Sequence, residues 1–426
     1  MHDFDYRSDE LHAEDVPLSE LAARHGTPLF VYSHATLVRH VRRLHAAFAG
    51  PGGDAPHLVA YSVKANPSLA VIRTLANEGA GADVVSGGEL ARALAAGVPG
   101  EKIVFAGVGK RPDELAAAVD AGVLSVNVEV PGELDELSRL AHARGRTVGV
   151  SLRVNPDVQG GAHRYIQAGT KVTKFGIPIE EALALYRRAA RLPGIEVRGV
   201  ACHIGSQILD LEPLQRALGQ VRRLFQELWA DGIPLRHVDV GGGLGVRYRD
   251  EVPPSVEDYA AAVLGQVGDL GATIVLEPGR MIVANAGILL TRVLYRKEVA
   301  GKTFLIVDQA MNDLTRPALY GGYHEVVAVR RGGPAIQADV VGPICETGDF
   351  LLEGGQVPDA RPGDLLAVMS AGAYGRSMSS NYNTRPRAAE VLVHGSEAHL
   401  VQERETIEEL LARERIPAFL NPSILR

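Results

Sequence analysis

The stretch that decides the fold is residues 58–97, LVAYSVKANPSLAVIRTLANEGAGADVVSGGELARALAAG. Apolar and β-branched runs at Leu58–Lys64 and Ala82–Ser86 predict two strands. Each is followed by a run with helical periodicity, Ser68–Glu78 after the first and Gly88–Ala96 after the second. This alternation predicts βα units and a parallel sheet.

The same rhythm continues to about residue 280, with helical segments such as Arg111–Ala121 between most of the strands. The eight predicted strands are Leu58–Lys64, Ala82–Ser86, Lys102–Ala106, Leu124–Val128, Val148–Val154, Val197–His203, His237–Val240 and Thr273–Glu277. Eight repeats over this length predict a closed (β/α)8 barrel at residues 35–285. A doubly wound open sheet is the alternative that the pattern leaves open.

After residue 285 the strands follow one another with little helix between them. Six are predicted, at Ile288–Val299, Lys302–Val307, Glu325–Arg330, Ala335–Val341, Asp364–Met369 and Ala388–Val393. They predict a mainly antiparallel β-barrel or sandwich domain made of residues 1–34 and 286–426, to which Leu29–Tyr32 adds a strand. The charged segment Glu403–Arg415 predicts a surface helix.

Composition narrows the class of protein. The net charge of −7 argues against general nucleic-acid binding, which needs a basic surface. The two cysteines, Cys202 and Cys345, are too few for a disulfide scaffold and suit a reducing compartment. No apolar run approaches the ~20 residues that span a bilayer, and the acidic N-terminus does not resemble a signal peptide. We therefore expect a cytoplasmic protein with no membrane partner.

The active site of such a barrel forms at the carboxyl ends of its strands. The residues there are polar or glycine: Lys64, Asp83, Ser86, Arg153, His203, Ser206, Gly241, Gly242, Gly243, Glu277 and Arg280. A lysine leaving a buried strand is partly desolvated, which lowers its pKa and favours Schiff-base formation. Lys64 is therefore either such a lysine or one that extends to solvent at the barrel rim.

Two glycine-containing loops follow the last two strands of the barrel. Gly241-Gly242-Gly243 comes after the seventh, and Gly279-Arg280 after the eighth, where barrels commonly bind phosphate. Ser206 can donate a further hydrogen bond. A buried Glu277 needs a cationic partner, which is either the ring nitrogen of pyridoxal phosphate or Arg280. His203 either lies against that ring or is an ordinary core histidine.

At this point the chain resembles the diaminopimelate decarboxylase family, in the alanine-racemase-like (fold type III) group of pyridoxal-phosphate enzymes. The resemblance runs from about Thr27 to Val393. It rests on the segments Tyr61–Asn66, Gly81–Leu90, Lys174–Ile177, His203–Gln207, Asp239–Gly245, Glu277–Arg280, Arg316–Tyr320, Cys345–Asp349 and Gly372–Gly375. Its more specific features are Met311-Asn312-Asp313, which leads to Arg316, and the Cys345-Glu346 pair. Thr347 stands where the family commonly has serine, and a hydroxyl remains.

The resemblance implies a role for each matching residue. Lys64 would carry pyridoxal 5′-phosphate as a Schiff base, and Cys345 would be the proton donor. The cofactor would be bound by Lys64, Asp83, His203, Ser206, Gly241, Gly242, Gly243, Glu277, Pro278, Gly279, Arg280 and Tyr374. The substrate would be bound by Arg280, Arg316, Tyr320, Glu346 and Tyr374. No metal ion is expected.

The implied reaction is decarboxylation of meso-2,6-diaminopimelate to L-lysine and carbon dioxide, the last step of lysine biosynthesis. Two arginines suit a substrate that keeps a carboxylate, and Glu346 suits its ammonium group. The resemblance further implies a homodimer in which Cys345 and Glu346 reach the site of the other subunit. The alternatives are a decarboxylase for ornithine, arginine or carboxynorspermidine, a racemase on the same fold, and a non-enzymatic cofactor-binding homologue.

Overall fold

The computed structural model describes residues 2–49, 55–158 and 173–420. It divides into two compact units. Unit 1 comprises Met1–Phe4, Ser33–Ile288 and Met369–Ser377, and unit 2 comprises Asp5–Tyr32, Leu289–Val368 and Met378–Arg426. Each unit therefore combines segments that are far apart in the sequence.

The N-terminal segment contains a small sheet of three strands and one helix. The strands are β1 (Phe4–Arg7), β2 (Glu10–Ala13) and β3 (Val16–Pro17), followed by α1 (Leu18–His25) and β4 (Leu29–Ser33). Strand β4 joins the large sheet of unit 2, which confirms the strand predicted at Leu29–Tyr32. The short strands β1–β3 were not predicted from the sequence.

Unit 1 contains a closed barrel of eight parallel strands. They are β5 (His57–Ser62), β6 (Gly81–Val84), β7 (Ile103–Phe105), β8 (Ser125–Val128), β9 (Val148–Asn155), β11 (Ile195–Cys202), β12 (His237–Asp239) and β13 (Thr273–Leu276), with the two-residue strand β10 (Ile177–Pro178) beside β9. Pairing of β13 with β5 closes the barrel. The (β/α)8 prediction is therefore confirmed, and the open sheet is excluded.

Helices surround the barrel strands. They are α2 (His34–Ala49), α3 (Leu69–Asn77), α4 (Gly87–Ala95), α5 (Pro112–Ala121), α6 (Pro131–Ala143), α7 (Ile179–Ala189), α8 (Glu212–Ala230), α9 (Val256–Val267) and the short α10 (Arg280–Val283). Local signals set several starts: the Ser86 and Ser255 hydroxyls cap α4 and α9, and proline opens α5 and α6.

The barrel strands are buried on both faces, as expected of a parallel sheet covered by helices. Ala60, Val104 and Val275 form an interior cluster with no measurable exposure. Because small and branched side chains from different strands fill the interior, the barrel is a packed core whose polar groups collect at its ends.

Unit 2 is built on a mixed, mainly antiparallel sheet. Its remaining strands are β14 (Gly287–Val299), β15 (Lys302–Val307), β16 (Val326–Ala328), β17 (Ala335–Val341), β18 (Phe350–Pro358), β19 (Leu365–Val368), β20 (Ala389–His394) and β21 (Glu397–Gln402). Most of the pairings are antiparallel, while β15 and β17 are parallel. The six predicted strands are confirmed, and β18 and β21 were missed.

The helices of unit 2 are short. Besides α1 they are α11 (Arg316–Tyr320) and α12 (Ile407–Leu411). The prediction of a helix over Glu403–Arg415 was too long, because Thr406 and Glu409 form a capping box that starts the helix only at Ile407. Within the part of the chain that the structure describes, no helix is long and apolar enough to cross a membrane.

Candidate active site

Lys64 lies in a 3-10 turn, Val63–Ala65, directly after β5. Its Nζ donates to Asp83 Oδ2 at 3.2 Å, and the Ser62 hydroxyl donates to the same oxygen at 2.6 Å. Asp83 is fully buried, and among the described residues its Oδ1 has no hydrogen-bond partner. Lysine and acid therefore meet where β5 and β6 end, which is where the sequence analysis placed each of them.

The predicted direction of the Lys64 pKa was wrong. Burial lowers the pKa of Lys64, but the combined charges of Asp83, Glu277 and Tyr374 raise it above its ordinary value. Sequence reasoning considered only burial, because the acids come from other strands. Lys64 is therefore an ammonium group beside the Asp83 carboxylate.

Glu277 follows β13 and is buried beside Asp239, the last residue of β12. Burial, and then the charge of Asp239, raises the pKa of Glu277 well above its usual value. Asp239 accepts hydrogen bonds from Asn127 Nδ2 at 2.8 Å and from Gly241 N at 3.0 Å, and burial raises its pKa to about 6. The two carboxyl groups share a hydrogen bond, so the pair retains a proton.

His203 follows β11, and its Nδ1 accepts a hydrogen bond from Gly242 N at 3.2 Å. Burial, aided by the charges of Arg153 and Lys64, lowers the pKa of His203 well below its usual value. The ring is therefore a neutral imidazole whose tautomer is fixed by the Gly242 contact. The preceding Cys202 points into the core, as expected from strand alternation, and burial raises the pKa of its thiol to about 12.

The glycine turn 241–243 is required by packing. A Cβ at Gly242 would lie 2.0 Å from Glu277 O, and Gly243 has a φ of +110°, where an added Cβ would lie 2.3 Å from Gly205 O. Two of the three N–H groups are already used, by Asp239 and His203. Phosphate binding by this turn therefore stays a prediction.

The loop of Pro278 and Gly279 packs against the turn that carries Lys64. Pro278 O accepts a hydrogen bond from Ser62 N at 3.0 Å, and a Cβ at Gly279 would lie 3.0 Å from Ala65 Cβ. Tyr374 belongs to the same unit, and its N–H donates to Ala65 O at 2.8 Å. Residues that are distant in sequence are thus brought to one end of the barrel.

Arg280, the first residue of α10, is bound by hydroxyl groups on two sides. Its Nη2 donates to Ser206 Oγ at 3.1 Å, and its Nη1 donates to Tyr248 Oη at 2.9 Å. The Tyr374 ring lies 4.9 Å from the guanidinium carbon. Ser206 accepts from Arg280 in this arrangement, so its own O–H is oriented away from the guanidinium. Sequence reasoning missed Tyr248.

A second group of predicted residues lies in unit 2. Cys345 is an exposed free thiol, and Glu346 beside it is also exposed. Cys345 N donates to Asn383 Oδ1 at 3.0 Å, and Tyr382 makes a hydrogen bond with Glu346 that raises the Tyr382 pKa. The loop that carries both predicted residues is thus fixed by side chains of the 382–383 segment.

Asp349 ties the Cys345 loop to the segment that leads to Arg316. Its two oxygens accept hydrogen bonds from Ile344 N and Met311 N, each at 2.7 Å. Arg316 is buried at the start of α11, where its Nη1 lies 2.6 Å from His324 Nε2. Tyr320 ends that helix and is half-buried. The structural contacts of Asp349 and Asn383 could not be predicted from the sequence.

The barrel residues fit pyridoxal phosphate chemically. An amine, Lys64, stands beside a buried acid pair, Glu277 and Asp239, which a protonated ring nitrogen would stabilise. His203 offers a neutral, flat ring, and Arg280 offers a cation for an anionic group. The buried Asp83 Oδ1, which no described group contacts by a hydrogen bond, can still accept one.

Comparisons with known proteins agree with this chemistry. Residues 34–284 match the family "Pyridoxal-dependent decarboxylase, pyridoxal binding domain". The diaminopimelate decarboxylase of Pseudomonas aeruginosa is 54% identical over 98% of this chain and 99% of its own length. The corresponding protein of Vibrio cholerae is 49% identical over 97% of this chain and 99% of its own length.

A solved structure gives the same result. The diaminopimelate decarboxylase of Helicobacter pylori, complexed with L-lysine, has a TM-score of 0.89 and is 39% identical. The match covers 93% of this chain and 98% of that chain. The likeness therefore extends over both units.

Proposed function

The chain belongs to the pyridoxal-dependent decarboxylases, and we propose that it decarboxylates meso-2,6-diaminopimelate to L-lysine and carbon dioxide, the final step of lysine biosynthesis. The observation that carries the proposal is the 54% identity with a diaminopimelate decarboxylase over nearly the whole chain. A pyridoxal-phosphate-dependent carboxy-lyase also suits the lysine and the acids at the end of the barrel.

The barrel, residues 35–285, binds the cofactor in this proposal. Pyridoxal phosphate, when bound, supplies an electron sink for the bond that breaks. Lys64 is its covalent anchor, and Asp83 holds the Lys64 amine in place. Glu277 would pair as a carboxylate with the protonated ring nitrogen, and the neutral imidazole of His203 would lie against the ring. The remaining contacts come from Ser206, Gly241, Gly242, Gly243, Pro278, Gly279, Arg280 and Tyr374.

The substrate is bound at the end that does not react. Arg280 and Arg316 bind the carboxylate that is retained, and Tyr320 and Tyr374 contact the same end. Glu346 accepts hydrogen bonds from the ammonium group there. Ornithine has no second carboxylate, so a pair of arginines favours diaminopimelate over it. Cys345 donates the proton that replaces carbon dioxide on carbon.

Residues 1–34 and 286–426 supply substrate and dimer contacts. We propose a homodimer in which Cys345 and Glu346 of one subunit complete the site of the other, and this would cover the exposed side chains of both. We also propose that the enzyme acts in the cytoplasm, which suits its two free cysteines.

Carbon dioxide release from the purified, cofactor-loaded protein tests the proposed function. We expect release from meso-2,6-diaminopimelate, with one L-lysine formed for each carbon dioxide. Release from L-ornithine, L-arginine and carboxynorspermidine should be at least about a hundredfold slower, because a buried site built for a charged group discriminates strongly against its absence. Faster release from any of these, or epimerisation without carbon dioxide, would overturn the proposal.

A further inference from the structure

Tyr248 lies against Arg280 within unit 1, in the loop between β12 and α9. Its side chain is buried, and its hydroxyl oxygen accepts a hydrogen bond from Arg280 Nη1 at 2.9 Å. The Tyr248 ring lies 5.8 Å from the guanidinium carbon. Tyr248 therefore contacts Arg280 through both its hydroxyl and its ring.

The loop that carries Tyr248 is bonded to the loop that carries Ser206. Gln207 makes two hydrogen bonds to Val246, with Nε2 donating to the carbonyl at 2.6 Å and Oε1 accepting the N–H at 3.1 Å. Gly245 N also donates to Ile208 O at 3.0 Å. The two loops thus form one structural element.

Each of these paired loops directs one hydroxyl group to Arg280. Ser206 Oγ lies 3.4 Å from Nε and 3.1 Å from Nη2, and Tyr248 Oη lies 2.9 Å from Nη1. The two hydroxyls thus accept from different nitrogens of the guanidinium group, which restricts its rotation. Tyr374, 4.9 Å from the guanidinium carbon, restricts its tilt.

The backbone of Tyr248 is fixed as well. Glu251 Oε2 accepts the N–H groups of Tyr248 at 3.0 Å and of Arg249 at 2.7 Å. An arginine side chain is otherwise among those that lose the most rotational freedom on binding a ligand. A guanidinium that is already oriented binds a carboxylate without that loss, because bidentate contact depends on the plane.

We propose that Tyr248 is a positioning residue that orients Arg280 toward the retained carboxylate of the amino-acid substrate. It thereby strengthens the preference for a ligand that has this carboxylate. The inference rests on the proposed function, in which Arg280 binds that group, and it adds a residue whose effect is exerted through Arg280.

Two ligands that differ by the carboxylate test this role. L-lysine and 1,5-diaminopentane share the terminal amine that reacts at the cofactor, and only L-lysine has the carboxylate. Each is titrated into the cofactor-loaded protein while the visible absorbance of the cofactor is followed. Tyr248→Phe should raise the Kd of L-lysine about tenfold, as expected for losing a hydrogen bond to a charged group, and should change that of 1,5-diaminopentane by less than about twofold.

The controls separate this inference from the proposed function. Arg280→Lys should weaken L-lysine binding at least as much as Tyr248→Phe and should again spare 1,5-diaminopentane. If Arg280→Lys leaves the ratio of the two Kd values unchanged, the carboxylate role of Arg280 in the proposed function is wrong. If only Tyr248→Phe leaves it unchanged, the inference on Tyr248 is wrong and the proposed function stands.

Further variants test whether the effect of Tyr248→Phe comes from disturbed folding or from weaker binding of pyridoxal phosphate. Tyr186→Phe removes another buried barrel hydroxyl, which bonds to Gly199 O at 2.8 Å, and should leave the ratio unchanged. Glu251→Gln should shift the ratio of the two Kd values in the same direction as Tyr248→Phe, but by a smaller factor. It replaces Tyr248→Phe as the test if the Tyr248→Phe protein does not fold. A Tyr248→Phe protein that loses affinity for pyridoxal phosphate but keeps the ratio would overturn the inference.

Discussion

The two regions that carry the predicted reactive groups differ in how they hold them. At the barrel end, Lys64, Asp83 and Glu277 come from separate strands, and the two acids are buried. In unit 2, Cys345 and Glu346 are neighbours on one exposed loop, which Asn383, Tyr382 and Asp349 hold in shape. The first region sets the charge state of its groups, whereas the second fixes the position of a loop.

The two cysteines illustrate the same difference. Cys202 lies at the end of a barrel strand, where burial raises the pKa of its thiol to about 12. Cys345 is exposed on the surface of unit 2. The Cys202 thiol is buried in the core and is not placed to contact a substrate, whereas the Cys345 thiol is exposed. Position, rather than residue type, therefore distinguishes the predicted proton donor from a packing residue.

The largest effect is expected at the barrel end. Lys64→Ala should reduce kcat/KM by about 10³ or more, because it removes the group that anchors the cofactor. The visible absorbance of the bound cofactor should disappear as well. Lys102→Ala is the matched control, since Lys102 precedes its strand, β7, at the opposite end of the barrel, where its Nζ donates to Gly79 O at 3.2 Å. Retained colour after dialysis of Lys64→Ala would contradict the role of Lys64.

A substitution of Cys345 in the exposed loop should also lower activity strongly, but without loss of the bound cofactor. Cys345→Ala should lower kcat by about 10²–10³, the range for losing a positioned proton donor, while the cofactor absorbance persists. Cys202→Ala, the change at the other cysteine of the sequence, should keep kcat within about twofold, because it shortens a small buried side chain and leaves Cys345 in place. Equal losses in both variants would show that the distinction between the two cysteines is wrong.

A change that moves the loop but keeps its reactive groups should have a smaller effect. Asn383→Gly tolerates the φ of +54° at this position but removes the oxygen that accepts a hydrogen bond from Cys345 N. We expect kcat to fall by up to about tenfold, the value of one ordinary hydrogen bond. Asn383→Asp retains an acceptor oxygen and should recover most of the loss. Equal activity of Asn383→Gly and wild type would mean that this contact does not position Cys345.

The smallest expected effect is on the free energy of unfolding, and it comes from the acid pair of Asp239 and Glu277 in the barrel. The pKa of Asp239 is raised to about 6 in the folded chain, so the folded state binds its proton more tightly than the unfolded state does. This contribution to stability is present at low pH and is lost as pH rises from about 4 through 6. Between pH 5 and 7, the free energy of unfolding of cofactor-free wild type should fall by about 1 kcal/mol relative to Asp239→Asn. Urea titrations measure this difference, and an opposite sign would contradict the raised pKa.

The barrel was predictable from the sequence because short runs with apolar and β-branched residues alternate with segments of helical periodicity. Two strands of unit 2 were missed: β18, whose Glu353-Gly354-Gly355 interior includes a residue with a φ of +58°, and β21, whose side chains are mostly exposed. In both cases strand formation depends on pairing with a neighbour, as β18 pairs with β17 and β21 with β20.

The position of the polar residues at the end of the barrel was predictable from the sequence, but their contacts were not. The rule that barrels place polar groups at strand ends identified Lys64, Asp83 and Glu277. The raised pKa of Lys64 depends on charges from other strands, and the Tyr248 contact with Arg280 depends on the pairing of two loops. Such contacts are set by tertiary structure, which a linear pattern does not encode.

Subunit mixing tests most directly whether the buried barrel site and the exposed loop act together across two chains. Lys64→Ala and Cys345→Ala proteins, each of which has lost most of its activity alone, are mixed in equal amounts and allowed to exchange subunits. About half of the dimers then contain one subunit of each kind, and each of these has one complete site, so about a quarter of wild-type activity should return. No recovery after verified exchange would contradict the shared site and place Cys345 and Lys64 of the same chain in one site.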